Sequence, residues 1–252
     1  TLSNDAGSKF VADISLPRTE RKVGNSHKAF EVTGDPFLSK ELACKRRDFS
    51  LNSMLYDPLT DEIVDIYGGQ EDIKNKVIRV VDPETFIEDS LRVLRAAQFA
   101  ARFNFTVHPD TVKLCKSIDL SDLPAERIWG EIEKWLLSKH PSVGLMYFYE
   151  LGIAKQLCGM SETQDFIAKA VGKALDVAAK INSPNKADKL IIQLCLLRDL
   201  FSFTVKYKEF LEKLKLFTID GVDVKKIVLS FCEISSMPIT DSDIRRLSLR
   251  MP

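Results

Sequence analysis

Glu88-Asp89-Ser90-Leu91-Arg92-Val93-Leu94-Arg95 runs on to Phe99 and Arg102, and its placement decides how the rest of the chain is read. On a helix, positions 88, 92, 95, 99 and 102 follow a spacing of three or four and share one face. Leu91, Leu94, Gln98 and Ala101 form a neighbouring face that can pack. A helix here divides the chain. Upstream, Lys9–Ile14, Ala29–Val32, Ile63–Tyr67 and Val77–Val81 are short β-like runs, broken by Gly24-Asn25, Gly34-Asp35-Pro36 and Gly68-Gly69. From about Pro83 onward the period is helical. Pro124 suits a first helical turn, and Ile128, Ile132, Trp135 and Leu136 line one stripe behind it. Val143–Leu151, Phe166–Lys180, Lys186–Phe201, Tyr207–Leu216 and Val224–Ile234 are further helices, joined through Asn182–Asn185 and Phe217–Val222. The chain therefore reads as α+β, a small β-containing part followed by an all-helical part.

The 252 residues carry 36 Lys+Arg against 36 Asp+Glu, so the formal net charge is zero. Bulk charge cannot drive nucleic-acid binding, although local basic patches can. A 45% hydrophobic, 29% charged composition is that of a folded globular chain. No apolar run reaches the ~18 residues of a membrane-spanning helix, and no secretory leader is visible. Cys44, Cys115, Cys158, Cys195 and Cys232 are scattered, with no C-x-x-C pair and no histidine at ligand spacing. They read as buried, reduced thiols of a cytoplasmic protein. The first residue is Thr rather than Met, so the chain reads as a fragment or a processed form.

Two segments carry chemistry. In Lys45-Arg46-Arg47-Asp48-Phe49-Ser50-Leu51-Asn52, three cations and a carboxylate precede an apolar, helix-like stretch, Leu51–Tyr56. One reading is a solvated charge run in which Asp48 caps that helix. The other gives Arg47 a phosphate, whose oxygens a guanidinium fork matches, and gives Asp48 a ribose hydroxyl. In the 88–95 segment, simple Glu-to-Arg pairing on a solvated face would be worth only about 0.2–0.5 kcal/mol per pair. The alternative is base reading. Cytosine and adenine each set an amino donor beside a ring-nitrogen acceptor, whereas guanine and uracil place a carbonyl there. Asp89 would accept the amino proton and Arg92 would donate to the ring nitrogen. The same pair facing G or U leaves groups unpaired, at roughly 1–3 kcal/mol each. Between the two segments, Asp65-Ile-Tyr-Gly68-Gly69 is either a plain turn or a hinge between the two parts.

Taken together these segments resemble the class II tRNA nucleotidyltransferase family, the CCA-adding enzymes and their poly(A) polymerase relatives. The resemblance runs through Leu16-Pro-Arg18-Thr-Glu20-Arg21-Lys22, Arg46-Arg47-Asp48-Phe-Ser-Leu-Asn52, Asp65…Gly68-Gly69, Glu88-Asp89…Arg92…Arg95…Phe99…Arg102, Pro124-Ala-Glu126-Arg127-Ile and Gly152-Ile. It covers roughly residues 10–155 and weakens beyond. It implies a small mixed-sheet nucleotidyltransferase head, incomplete here, followed by a helical neck, body and tail in a seahorse-shaped molecule. The corresponding spans are 1–80, 81–137, 138–205 and 206–252. It implies that Arg46, Arg47 and Asp48 handle triphosphate and ribose, and that Asp89, Arg92 and Arg95 read the base. It further implies CTP, ATP and tRNA as partners, Mg2+ as cofactor, and template-independent addition of C and A to the tRNA 3′ end.

This sequence departs from the family at the start of the head. The family's Gly-Gly-x-Val-Arg-Asp loop and Asp-x-Asp metal pair are not present upstream of Leu16. Asp241-Ser-Asp243 is similar in form but reads as a helix N-cap before Ile244-Arg245-Arg246. Asp13 is the remaining candidate accessory carboxylate. The metal ligands therefore cannot be named from these residues. Candidate cations for tRNA are Lys206, Lys208, Lys213, Lys215, Lys225, Lys226, Arg245 and Arg246. Two rival readings stay open, a poly(A) polymerase of the same family and a non-catalytic RNA-binding fragment.

Overall fold

The structure is a computed structural model that describes residues 2–3, 9–10, 18–22, 30–160, 165–201, 204–215 and 218–234. Two antiparallel ribbons open the chain: β1 (Leu2–Ser3) with β2 (Lys9–Phe10), and β3 (Arg18–Lys22) with β4 (Phe30–Gly34), Arg18 lying opposite Gly34. Helix α1 (Lys40–Lys45) starts where the Ser39 hydroxyl accepts from Leu42 N at 3.3 Å. A single 3-10 turn, Ser50–Asn52, leads into the hairpin of β5 (Leu55–Asp57) and β6 (Glu62–Val64). Helix α2 (Gly69–Asn75) and β7 (Val77–Ile78) follow. β7 pairs in parallel with β8 (Thr106–Val107), and the crossover between them holds α3 (Pro83–Phe86) and α4 (Leu91–Phe103). Among the described residues every sheet is a two-stranded ribbon.

The remainder is helical: α5 (Pro109–Lys116), α6 (Ala125–Leu136), α7 (Pro141–Glu150), α8 (Ile153–Cys158), α9 (Asp165–Ala179), α10 (Lys186–Leu197) and α11 (Thr204–Lys213). A tight hairpin, β9 (Thr218–Ile219) and β10 (Val222–Asp223), then precedes α12 (Val224–Ile234). Among the described residues no helix is long and apolar enough to cross a membrane.

Helix α4 is the hub. Leu91, Val93, Leu94, Ala96, Ala97, Gln98, Phe99, Ala100 and Ala101 are all buried. Its alanines let α6 and α7 approach closely. Gly144 of α7 is obligatory at that crossing, since a Cβ there would lie 2.2 Å from Trp135 Cδ1 and 2.9 Å from Ala101 Cβ. Trp135 Nε1 closes the α6–α7 corner by donating to Pro141 O at 2.9 Å. Farther on, Asp176 of α9 accepts from Ser142 N at 3.0 Å and Ser142 Oγ at 2.7 Å, fixing the start of α7. Phe49, and Ile78 of β7, belong to the same buried cluster as α4 and α6, so the segment leading into the helices shares their core.

Several expectations shift. The apolar stretch Leu51–Tyr56 is not a helix but the end of a 3-10 turn followed by strand β5. Ser50 O and Met54 are pressed against Gly69, which leaves no room for a wider helical turn. The run Ile63–Tyr67 stops at Val64, because Asp65 turns to cap α2. The third helical region expected over Lys186–Phe201 is α10 to Leu197 and then a 3-10 turn, Arg198–Leu200. The helix expected over Tyr207–Leu216 begins at Thr204 and ends at Lys213. The ribbon halves β3 and β8 carry too few apolar residues to announce themselves.

Candidate nucleotide-binding site

The two charged segments meet. Asp48, 7% exposed, ends the loop after α1. Its Oδ1 accepts from Phe49 N at 2.9 Å and from Asn52 Nδ2 at 3.0 Å, and its Oδ2 accepts from Arg95 Nε at 2.6 Å. It does not cap a helix, since the 3-10 turn that follows has Phe49 at its cap position without a side-chain bond. It stiffens its own turn and binds a guanidinium from α4. Arg47 beside it is exposed.

Below this turn, α2 is docked by a short polar chain. Asp65 accepts from Gly69 N at 2.7 Å and Gln70 N at 2.8 Å, which replaces a conventional N-cap where Gly68 adopts φ 71°. A Cβ on Gly69 would sit 2.4 Å from Ser50 O, so that glycine serves a close backbone approach. Ser50 Oγ donates to the buried Asp72 at 2.6 Å, and Arg79 Nε donates to both Asp72 oxygens at 3.2 Å. The Gly-Gly pair thereby ties α2 under the Asp48 turn.

The second segment begins just outside α4. Glu88 and Asp89 precede the helix, which starts at Leu91, so Asp89 and Arg92 are joined through a turn rather than stacked on one helical face. Arg92 N donates to Asp89 O at 3.0 Å and fixes that turn. The Asp89 side chain, 25% exposed, accepts from Leu91 N at 3.2 Å and from Arg127 Nη2 at 2.9 Å. Arg92 donates to Thr85 O at 2.6 Å and to Arg46 O at 2.7 Å, with its guanidinium 6.0 Å from the centre of the Phe86 ring. Arg95, besides its bond to Asp48, lies 5.1 Å from the centre of Phe99. Phe49 packs on Phe86 and Phe99 with ring centres 5.8 and 5.6 Å apart. An aromatic floor thus carries both arginines, with Arg92 bonded to the main chain of Arg46 and Asp89, and Arg95 bonded to Asp48. Arg102, at the far end of α4, is exposed and lies 5.1 Å from the centre of Phe103.

Sequence reasoning gave no role to Arg127 and Glu131, which stand one turn apart on α6 and face Asp89 and Arg95. One signal was present: Glu131 is a carboxylate set among the apolar stripe positions Ile128, Ile132 and Trp135. The Thr85 and Arg46 carbonyls had no signal at all.

The magnesium implied by resemblance finds no fit among the described residues, where no group of three or more His, Cys, Asp or Glu side chains is placed to hold a metal ion. Of the carboxylates at the site, Asp48 is bonded to Phe49 N, Asn52 and Arg95, and Asp89 to Leu91 N and Arg127. Asp13, Asp241, Asp243, Arg245 and Arg246 lie outside the described residues. Of the other proposed cations, Lys206, Lys213 and Lys226 are exposed, Lys215 pairs with Glu126 at 3.1 Å and Lys225 lies 4.0 Å from Glu212. Cys44, Cys115, Cys158 and Cys195 are free thiols. Burial pushes the Cys115 and Cys158 thiols up to about 12, which keeps both protonated at neutral pH.

Residues 8–79 match the Poly A polymerase head domain family. Residues 104–162 match the family described as the probable RNA and SrmB-binding site of polymerase A. The Multifunctional CCA protein of Stenotrophomonas maltophilia (strain R551-3) is 42% identical over 149 residues, which cover 56% of this chain and 36% of that protein. That of Pasteurella multocida (strain Pm70) is 41% identical over 152 residues, covering 58% and 36%. The matched region spans a little over a third of the length of these relatives. Among solved structures, a tRNA-processing enzyme (apo form 2) superposes with a TM-score of 0.63 at 26% identity, covering 87% of this chain and 64% of that one. A tRNA nucleotidyltransferase complexed with a primer tRNA and an incoming ATP analog has the same fold, with a TM-score of 0.61 at 23% identity, covering 89% and 71%.

Proposed function

The chain belongs to the poly(A) polymerase and tRNA nucleotidyltransferase family, and from that premise we propose that it acts in the template-independent addition of C and A to the 3′ end of tRNA. The observation that carries this reading is the meeting of Arg46-Arg47-Asp48 with Asp89, Arg92 and Arg95 over the Phe49–Phe86–Phe99 floor. Arg47, exposed beside Asp48, takes the triphosphate. Asp48 accepts a ribose hydroxyl. Asp89 accepts the amino proton of C or A, and Arg92 donates to the adjacent ring nitrogen, moving off the Thr85 and Arg46 carbonyls to do so. Selection of C and A then needs no template strand, since G and U leave both side chains facing the wrong partner.

In this reading the head is residues 1–80, the neck 81–137, the body 138–205 and the tail 206–252. The neck holds the base-reading residues, and the body and tail hold tRNA by shape and phosphate contacts, within the cytoplasm. The reacting 3′-hydroxyl attacks the α-phosphate in line and pyrophosphate leaves. A family member of this kind uses a divalent metal, and the described residues do not supply its ligands.

A poly(A) polymerase activity is the second reading, favoured by the description of the family that matches residues 8–79. Incubating the full-length protein with tRNA lacking its terminal CCA, CTP, ATP and magnesium separates them. Growth by three nucleotides that stops is the expected product. A long A tail establishes the second reading, and no growth with either nucleotide defeats both.

A further inference from the structure

Helix α6 carries a carboxylate where its apolar stripe continues. Glu131 is 5% exposed, among the buried Ile128, Ile132, Trp135 and Leu136. Its Oε1 accepts from Lys134 Nζ at 2.8 Å and lies 4.0 Å from Arg95 Nη1. Its Oε2 is buried without a hydrogen-bond partner among the described residues. A carboxylate in such a place costs free energy unless it answers a cation. The adjoining cavity, which Gln98 and Phe148 also line, is about 10 Å³, no larger than one water-sized sphere, so Glu131 does not serve a ligand there. The cation that Glu131 shares with the nucleotide site is Arg95.

Arg95 is the link between two acids. Its Nε is bonded to Asp48 Oδ2 at 2.6 Å and its Nη1 faces Glu131. An ionised carboxylate has roughly four acceptor positions. On Asp48, Phe49 N and Asn52 Nδ2 fill those of Oδ1, and Arg95 fills one on Oδ2. The position left on Oδ2 is the one a ribose hydroxyl can take, next to the Arg95 bond. Where the guanidinium sits therefore decides how well Asp48 receives the sugar.

We infer that Glu131 is a positioning residue for the nucleotide sugar, acting through Arg95 on Asp48; the inference rests on the ribose role of Asp48 proposed above. Glu131 holds the far end of the guanidinium so that Nε stays in register with Asp48 Oδ2. Because the sugar is common to CTP and ATP, the effect falls on both nucleotides and spares base choice.

The test is nucleotide binding to the full-length protein by calorimetry, with CTP against 2′-deoxy-CTP. E131Q keeps the shape and removes the charge. It is expected to weaken CTP about tenfold and 2′-deoxy-CTP less than about twofold. K134Q, which removes the other partner of Glu131, is expected to change both by less than about twofold. Equal losses for the two nucleotides in E131Q, or unchanged CTP affinity in a variant with a native melting temperature, overturn the inference. D48N separates the premise from the inference. If D48N still tells the two sugars apart, the ribose role of Asp48 is wrong and the inference goes with it. If D48N loses that distinction while E131Q keeps it, only the inference is lost.

Discussion

The surroundings of Asp48 and the α7–α9–α10 packing are built on opposite plans. Around Asp48, charged side chains from buried to partly exposed are satisfied by guanidinium groups and backbone carbonyls: Arg95 on Asp48, Arg92 on Thr85 O and Arg46 O, Arg127 on Asp89. In the C-terminal helices the interior is Leu145, Leu175, Leu190 and Leu194, and the polar bonds there only fasten ends and crossings, as Asp176 does for Ser142 and Gln193 for Leu175 O. Apolar packing stabilises a fold more per buried group than paired charge does. The charged neighbourhood is therefore poor scaffolding, and the nucleotide role proposed for it gives a reason for its cost.

If that contrast holds, damage to the two regions reads out differently. The largest change expected is in the packing region. Gly144→Ala forces a methyl against Trp135 and should cost about 1–3 kcal/mol or more, a fall in Tm of several degrees by calorimetry, with nucleotide affinity of the folded protein unchanged. A loss of affinity without a loss of stability would erase the distinction. Next comes Arg47→Ala in the charged region. An exposed side chain leaves Tm within about 1 °C, while KM should rise about tenfold for CTP and ATP alike. Unequal effects on the two nucleotides would move Arg47 from phosphate to base. The smallest is Lys215→Gln, which breaks an exposed pair with Glu126 and should change stability by no more than about 0.5 kcal/mol in denaturant titration. A larger loss would mean that this pair couples α6 to the residues after α11.

Much of this was legible beforehand. The 3–4 spacing from Leu91 to Ala101 gave α4 and its buried face, and Ile128, Ile132, Trp135 and Leu136 gave the inward stripe of α6. The two charged motifs were visible as charge, type and order. Their contact was not: Arg92 reaches main-chain oxygens of Thr85 and Arg46, atoms that every residue has, and the Arg95–Asp48 pair joins side chains 47 positions apart with no local pattern to announce it. Asp48 looked like a cap because a carboxylate before an apolar run usually is one; here Ser50 and Met54 are packed on Gly69 and the run becomes a 3-10 turn and a strand. The parallel pairing of Thr106–Val107 with Val77–Ile78 escaped since two residues make no pattern. Glu131 was the one overlooked residue with a readable signature, a charge inside an apolar stripe.

Asp89 and Arg92, proposed to select the base, face the sharpest test. The most direct measurement is the ratio of UTP to CTP dissociation constants for the wild-type full-length protein, D89A and R92A. Base selection by this pair requires the ratio to fall at least about tenfold towards one in both variants, by loss of CTP affinity alone. An undiminished ratio in either variant, with CTP still bound, would contradict it.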